Sequence, residues 1–179
     1  RRQRQMCIRD SMRVAEFKKV SLEQFKKDMV DTFGHKYFDE EIEEFYNHIK
    51  LPVRATAGSA GHDISTPINI ELDPGEKMLI PTGIRCKISP RYVMLIFPRS
   101  SMGIKKGLFI SNTIPVVDED YYNADNEGHI FLSVKNTSDK TLNIDAFNNI
   151  AQALFIPYGI ADLNNVTAKR KGGVGSTGL

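Results

Sequence analysis

Residues 68–97 read INIEL, DPGE, KMLI, PT, GIRCKI, SPR and YVMLIF, four apolar-rich runs set apart by Pro, Gly and Asp. Each run holds only four to six residues, too few for a globular helix, and β-branched or aromatic residues recur in them. The same texture returns at 108–112, 129–135 and 141–144, and the run ALFIPY (153–158) reads as a further strand. Many short strands with turn signals at this spacing predict an all-β, antiparallel sandwich or barrel.

Upstream of residue 51 the pattern differs. Residues 13–20 (RVAEFKKV) alternate as a strand does. Ser21 then has the position of a helix N-cap, with Gln24 at the capping-box site. Leu22, Phe25, Met29 and Phe33 follow at helical spacing, and Gly34 ends the helix. A second helix is predicted from Asp39, with acidic residues in its first turn and His48 and Lys50 at its end, where each suits the helix dipole. Its apolar stripe is Ile42, Phe45, Tyr46 and Ile49. Residues 21–49 therefore form a small helical insertion near the N-terminus of a β domain, either an ornament packed on it or a docking surface for a protein partner. No catalytic role is visible in it.

The bulk numbers allow one domain of 12–168 with an appendage at each end. Residues 1–11 (RRQRQMCIRDS) carry four arginines and one aspartate, +3, so the net +2 of the chain leaves about −1 for the rest. This leader has no periodicity and reads as non-native or disordered sequence, with Met12 as a plausible start. Nothing else forms a basic patch, so no nucleic-acid partner is expected. No apolar run approaches the roughly 20 residues that cross a membrane. Two cysteines make neither a disulfide framework nor a zinc site, and a reducing cytoplasm fits best. Residues 169–179 are rich in Gly and Lys and read as a mobile arm.

Five segments carry chemistry. Ala57-Gly58-Ser59-Ala60-Gly61-His62-Asp63 puts a carboxylate at the end of a small-residue turn. Pro98-Arg99-Ser100-Ser101 sets a cation and two hydroxyls just after an apolar strand. Ser111-Asn112 through Asp118-Glu119-Asp120-Tyr121 reads as a hairpin ending in acids and an aromatic ring. Asn149-Ile150-Ala151-Gln152 opens a strand, and 171–178 (KGGVGSTG) is a glycine-rich tail with hydroxyls. Such parts suit a phosphate ester: backbone N–H groups and an arginine cradle phosphate oxygens. Carboxylates can hold magnesium through water or activate a water for attack. No Ser/His or Cys/His nucleophile pair is evident, which favours direct attack by water.

In this order and spacing the five segments resemble the five motifs of the trimeric dUTPases, across residues 50–179. The resemblance implies a jelly-roll-like subunit, a homotrimer with sites between subunits, and magnesium-assisted hydrolysis of dUTP to dUMP and pyrophosphate. Asp118 is implied as the base for the attacking water. Tyr121 is implied beneath the deoxyribose and Asn112 on the uracil edge. Arg99, Ser100 and Ser101 from a neighbouring subunit are implied on the phosphates, with Gln152 on the phosphate chain. Asp63 is implied in the magnesium shell through water. Arg170, Gly175, Ser176 and Thr177 are implied to close over the nucleotide.

The chain departs from the pattern in places. Val174 stands where a phenylalanine usually stacks on uracil, and Lys169 takes the aligned place of an arginine beside Arg170. Phe147 and Asn149 replace glycine and arginine, Pro115 replaces a glycine, and the stretch Tyr122–Glu127 is longer than the family's turn. The dCTP deaminases share the fold and Pro98-Arg99-Ser100-Ser101. They carry a catalytic glutamate where this chain has Ser133, and proline and glycine where it has Glu119 and Asp120. A nucleotide-responsive regulatory protein on the same fold is the alternative from another class.

Overall fold

The computed structural model describes residues 13–161 and Gly172. The expectations placed on the leader 1–11 and on Lys169, Arg170, Val174, Gly175, Ser176 and Thr177 lie outside the described residues.

Strand β1 (Ala15–Lys19) leads into α1 (Leu22–Phe33) and α2 (Asp39–His48). The strands that follow are β2 (Val53–Arg54), β3 (His62–Ser65), β4 (Ile70–Leu72), β5 (Lys77–Pro81), β6 (Ile84–Ile88) and β7 (Tyr92–Pro98). After a short helix, α3 (Ser100–Lys106), come β8 (Leu108–Ile110) and β9 (Val116–Val117). A 3-10 turn at Glu119–Asn123 precedes β10 (Phe131–Asn136), β11 (Leu142–Ile144) and β12 (Asn149–Pro157).

All pairings are antiparallel. The largest sheet has the order β2-β3-β12-β7-β9; β5-β10-β8 form a second, and β1-β6 and β11-β4 pair separately. Alternate residues of each strand fill the interior. In β10, Leu132, Val134 and Asn136 are buried while their neighbours are half-exposed; Ile80 of the adjacent β5 and Met94 and Ile96 of β7 are fully buried. This is the all-β, antiparallel architecture that the run pattern predicts, consistent with the jelly-roll-like form that the resemblance implies. The insertion joins the same core through Phe25, Met29, Ile42 and Ile49. Cys86 belongs to that core too; burial pushes its thiol up to about 12, so it is a small apolar side chain there.

Two local expectations are corrected. The segment 108–121 is no simple hairpin: β8 pairs with β10 while β9 pairs with β7, so its arms lie in different sheets. Ser111 N–H is taken by Ser133 O at 2.7 Å and Pro115 O by Ile96 N–H at 3.1 Å, which engages each arm elsewhere. A helix also follows Arg99 where none was expected, closed by Gly107 in the left-handed region.

The capping box of α1 is half formed. Ser21 Oγ accepts from Gln24 N–H at 3.1 Å, as expected. The Gln24 side chain instead donates to Asp28, one turn on, and Ser21 N–H donates to Glu127 at 2.8 Å. Glu127 also accepts from Ser21 Oγ at 2.7 Å, so the long stretch after Tyr121 is fastened to the helix start. Burial alone would raise the Glu127 carboxyl, but the two Ser21 hydrogen bonds and the nearby Arg85 bring it below its usual value. A carboxyl lowered in the folded state adds stability above its unfolded value, about 4.3, and loses it as pH falls through the folded value. The Tm drop between about pH 6 and about pH 3 should therefore be smaller in Glu127→Gln than in the native chain, by scanning calorimetry. Equal drops would mean that this clamp does not titrate with folding.

Candidate functional site

The site is assembled by the central position of β12. Gln152 lies opposite Asp63 of β3 on one side and opposite Phe97 of β7 on the other. Because β7 ends at Pro98, its next residue, Arg99, arrives beside the same part of β12, where Arg99 N–H donates to Ile150 O at 3.1 Å. Three segments far apart in sequence thus meet at one end of the sheet.

Their side chains interlock. Arg99 Nε stands 3.2 Å from Asp63 Oδ1, in a pair whose carboxylate is only 12% exposed. Asn149 donates to the other oxygen, Oδ2, at 3.2 Å. Gln152 donates to Pro98 O at 3.4 Å. Gly61 crosses so close to Gln152 that a Cβ there would stand 2.4 Å from its Oε1, so a side chain at 61 would displace the Gln152 amide from its place. A cavity of about 880 Å³ opens over this floor, lined by Gly61, Asp63, Arg99, Ser100, Ser101 and Gln152 among others. Among the described residues Arg99 makes no side-chain bond besides that to Asp63, so both terminal nitrogens of its planar fork can serve an oxyanion. Ser100 and Ser101 are exposed at the start of α3.

The third segment stands apart. Val116 pairs with Leu95 and Val117 with Met94, so β9 runs away from Pro98 toward the start of β7. Asp118 therefore lies level with Val93, six residues from Arg99, which at about 3.3 Å per residue is roughly 20 Å. Asp118 is exposed and caps the 3-10 turn, with Tyr121 N–H on its carbonyl at 3.3 Å. Asn112 is exposed in the turn between the two sheets, beside Thr113 at φ 67°. Tyr121 is 8% exposed, and its hydroxyl donates to His129 O at 2.5 Å.

The structure thus brings Asp63, Arg99, Ser100, Ser101 and Gln152 together and sets Asp118 and Tyr121 apart beyond the far end of β9; Asn112 lies in the turn between β8 and β9. Sequence reasoning missed Asn149, taken only as a departure from the fourth motif; it holds the second oxygen of Asp63. Among the described residues no three His, Cys, Asp or Glu side chains stand together as a metal centre, and no helix is long and apolar enough to cross a membrane.

Comparison with known proteins bears on this arrangement. A sequence model of the dUTPase family matches residues 47–178. The deoxyuridine 5'-triphosphate nucleotidohydrolase of Lactococcus lactis subsp. lactis (strain IL1403) is 41% identical over 133 residues, 73% of this chain and 89% of its own length. That of Laribacter hongkongensis (strain HLHK9) is 37% identical over 135 residues, 71% of this chain and 87% of its own. The crystal structure of the dUTPase from Streptococcus mutans superimposes with a TM-score of 0.61 at 33% identity, covering 82% of this chain and 98% of that one.

Proposed function

Because this chain belongs to the dUTPase family, we propose that it hydrolyses dUTP to dUMP and pyrophosphate, in sites completed between identical subunits of a homotrimer. The observation that carries this reading is the division of the site residues within one chain. The cation and hydroxyls of Arg99, Ser100 and Ser101 form one group with Asp63 and Gln152. Asp118 stands roughly 20 Å away along β7 by strand spacing. No single α-phosphate can touch both, whereas a neighbouring copy can supply one to the other.

In this reading Asp118 orients a water and takes its proton as the oxygen bonds to the α-phosphorus. The bond from that phosphorus to the bridging oxygen breaks, and pyrophosphate leaves with the electron pair. Arg99 offers its fork to the phosphate oxygens, with the Ser100 and Ser101 hydroxyls beside it. Gln152 binds the phosphate chain. Asn112 meets the uracil edge, and the Tyr121 ring lies under the deoxyribose, leaving no room for a 2′-hydroxyl. Arg170, Gly175, Ser176 and Thr177 complete the phosphate contacts from the arm.

The donor set fits magnesium brought by the triphosphate. Asp63 presents one carboxylate beside Arg99, and magnesium keeps waters and phosphate oxygens as its other ligands. Asp63 would hold it through water. When bound, the ion offsets phosphate charge that otherwise repels the attacking water.

Deamination of dCTP is the less favoured chemistry, since β10 (FLSVKN) carries no carboxylate and Ser133 occupies the position where one would act. The test is pyrophosphate release from dUTP, dCTP, dTTP and UTP, each with and without magnesium. Release from dUTP alone, raised by magnesium, is expected. Ammonia release from dCTP, or no turnover of any nucleotide despite dUTP binding, would overturn the reading.

A further inference from the structure

The helical insertion reaches the third segment through one buried pair. His129 is wholly buried, and Asp28 of α1 is 6% exposed. Asp28 Oδ2 lies 2.5 Å from His129 Nδ1. On the other side of the ring, Nε2 accepts from Gly83 N–H at 2.7 Å. A nitrogen that accepts carries no hydrogen, so the ring proton sits on Nδ1 and points at the carboxylate. Gln24 holds the same Asp28 oxygen at 2.8 Å. Phe25 and Phe131 pack beside the imidazole, with centroids at 6.1 and 4.6 Å.

What this pair holds in place is the residue that receives Tyr121. The Tyr121 hydroxyl donates to His129 O and accepts from Asn126 Nδ2 at 2.9 Å. The intervening stretch is folded back by Gly128, at φ 69°, where a Cβ would stand 2.6 Å from Tyr121 O. Arg85 fastens its start, donating to Tyr122 O at 2.5 Å and lying over the Tyr122 ring. Glu127 ties its far end to Ser21. The segment from Tyr121 to His129 therefore closes on α1 at two points, although α1 precedes the residues that match the family.

We propose that Asp28 and His129 are positioning residues that set the depth of the Tyr121 ring, and through it the choice of deoxyribose over ribose. This rests on the reading that Tyr121 carries the sugar discrimination. Neither Asp28 nor His129 touches substrate; each acts through the Tyr121 hydroxyl.

The test measures kcat/KM for dUTP and UTP, together with thermal unfolding. Asp28→Asn keeps an oxygen that accepts from both His129 and Gln24, and should retain the dUTP/UTP ratio within about threefold. Asp28→Ala removes the acceptor and should narrow the ratio by about 10–100-fold, the scale of a displacement near 1 Å in a positioned group. Tyr121→Phe keeps the ring but cuts the tether to His129 O, and should narrow the ratio similarly. It serves even where Asp28→Ala does not fold. An unchanged ratio in a folded Asp28→Ala, or in Tyr121→Phe, overturns the proposal. Tyr121→Ala separates the two layers: if its ratio also stays unchanged, the sugar reading itself is wrong. Full discrimination in Tyr121→Phe with its loss in Tyr121→Ala would sink only the tether.

Discussion

Asp118→Asn is expected to bind dUTP and magnesium about as well as the native chain while kcat falls roughly 10²–10⁴-fold, the scale of losing a general base. Asparagine has the same shape and can still hydrogen-bond a water. It cannot accept the proton as the oxygen bonds to phosphorus. Asp118 caps the 3-10 turn with extended backbone (φ −80°, ψ 162°) and accepts Tyr121 N–H on its main chain, not its side chain. The substitution therefore keeps that backbone cap. Binding by titration calorimetry and pyrophosphate release under single-turnover conditions check this together. A near-native rate would remove Asp118 from the base role, and lost binding would assign its carboxylate to ground-state recognition.

Arg99→Ala should also be nearly inactive, through loss of a charged donor to the phosphates and exposure of Asp63 to an unpaired state. The more telling result comes from mixing it with Asp118→Asn. One chain holds the two groups roughly 20 Å apart by strand spacing, so in the proposed reading each site draws them from two chains. When the two inactive variants are unfolded together and refolded at equal ratio, about one quarter of the sites should receive intact Asp118 from one subunit and intact Arg99 from the other. Activity near that fraction is expected in the mixture and none in either variant refolded alone. A mixture as inactive as its components would mean that each chain works by itself, against the register of β7 and β9.

Much of this molecule was legible beforehand because the signals are local. Each strand between residues 70 and 110 was foreshadowed by a short apolar run, with ends that shifted by one or two residues. Ser21, by its hydroxyl, and Gly34, by its freedom at positive φ, bound α1, since a cap needs only neighbours within one turn. The membership of Asp63, Arg99, Ser100 and Gln152 in one site was legible only through resemblance. No spacing along the chain places Asp63 opposite Gln152, 89 positions away; the pairing of β3 with β12 does.

Other features were misread for the same reason. The segment around Asn112 looks like a hairpin because its two apolar arms flank a turn. Which strands claim those arms depends on β10 and β7, and those claims separate them into two sheets. Asp28 carried a weak signal, three residues after Phe25 and thus on the edge of the buried stripe of α1. An acid there usually faces water. It is buried because His129, 101 positions later, meets it.

Sequence alone determined the all-β class, the helical insertion and a set of residue types that suits a phosphate ester, because periodicity, capping and side-chain chemistry act over a few residues. Only the tertiary structure decided which strands pair, that Asp118 and Arg99 stand apart in one chain, and that α1 grips the segment after Tyr121. Those follow from long-range packing, in which a buried polar group is tolerated only where a distant partner satisfies it.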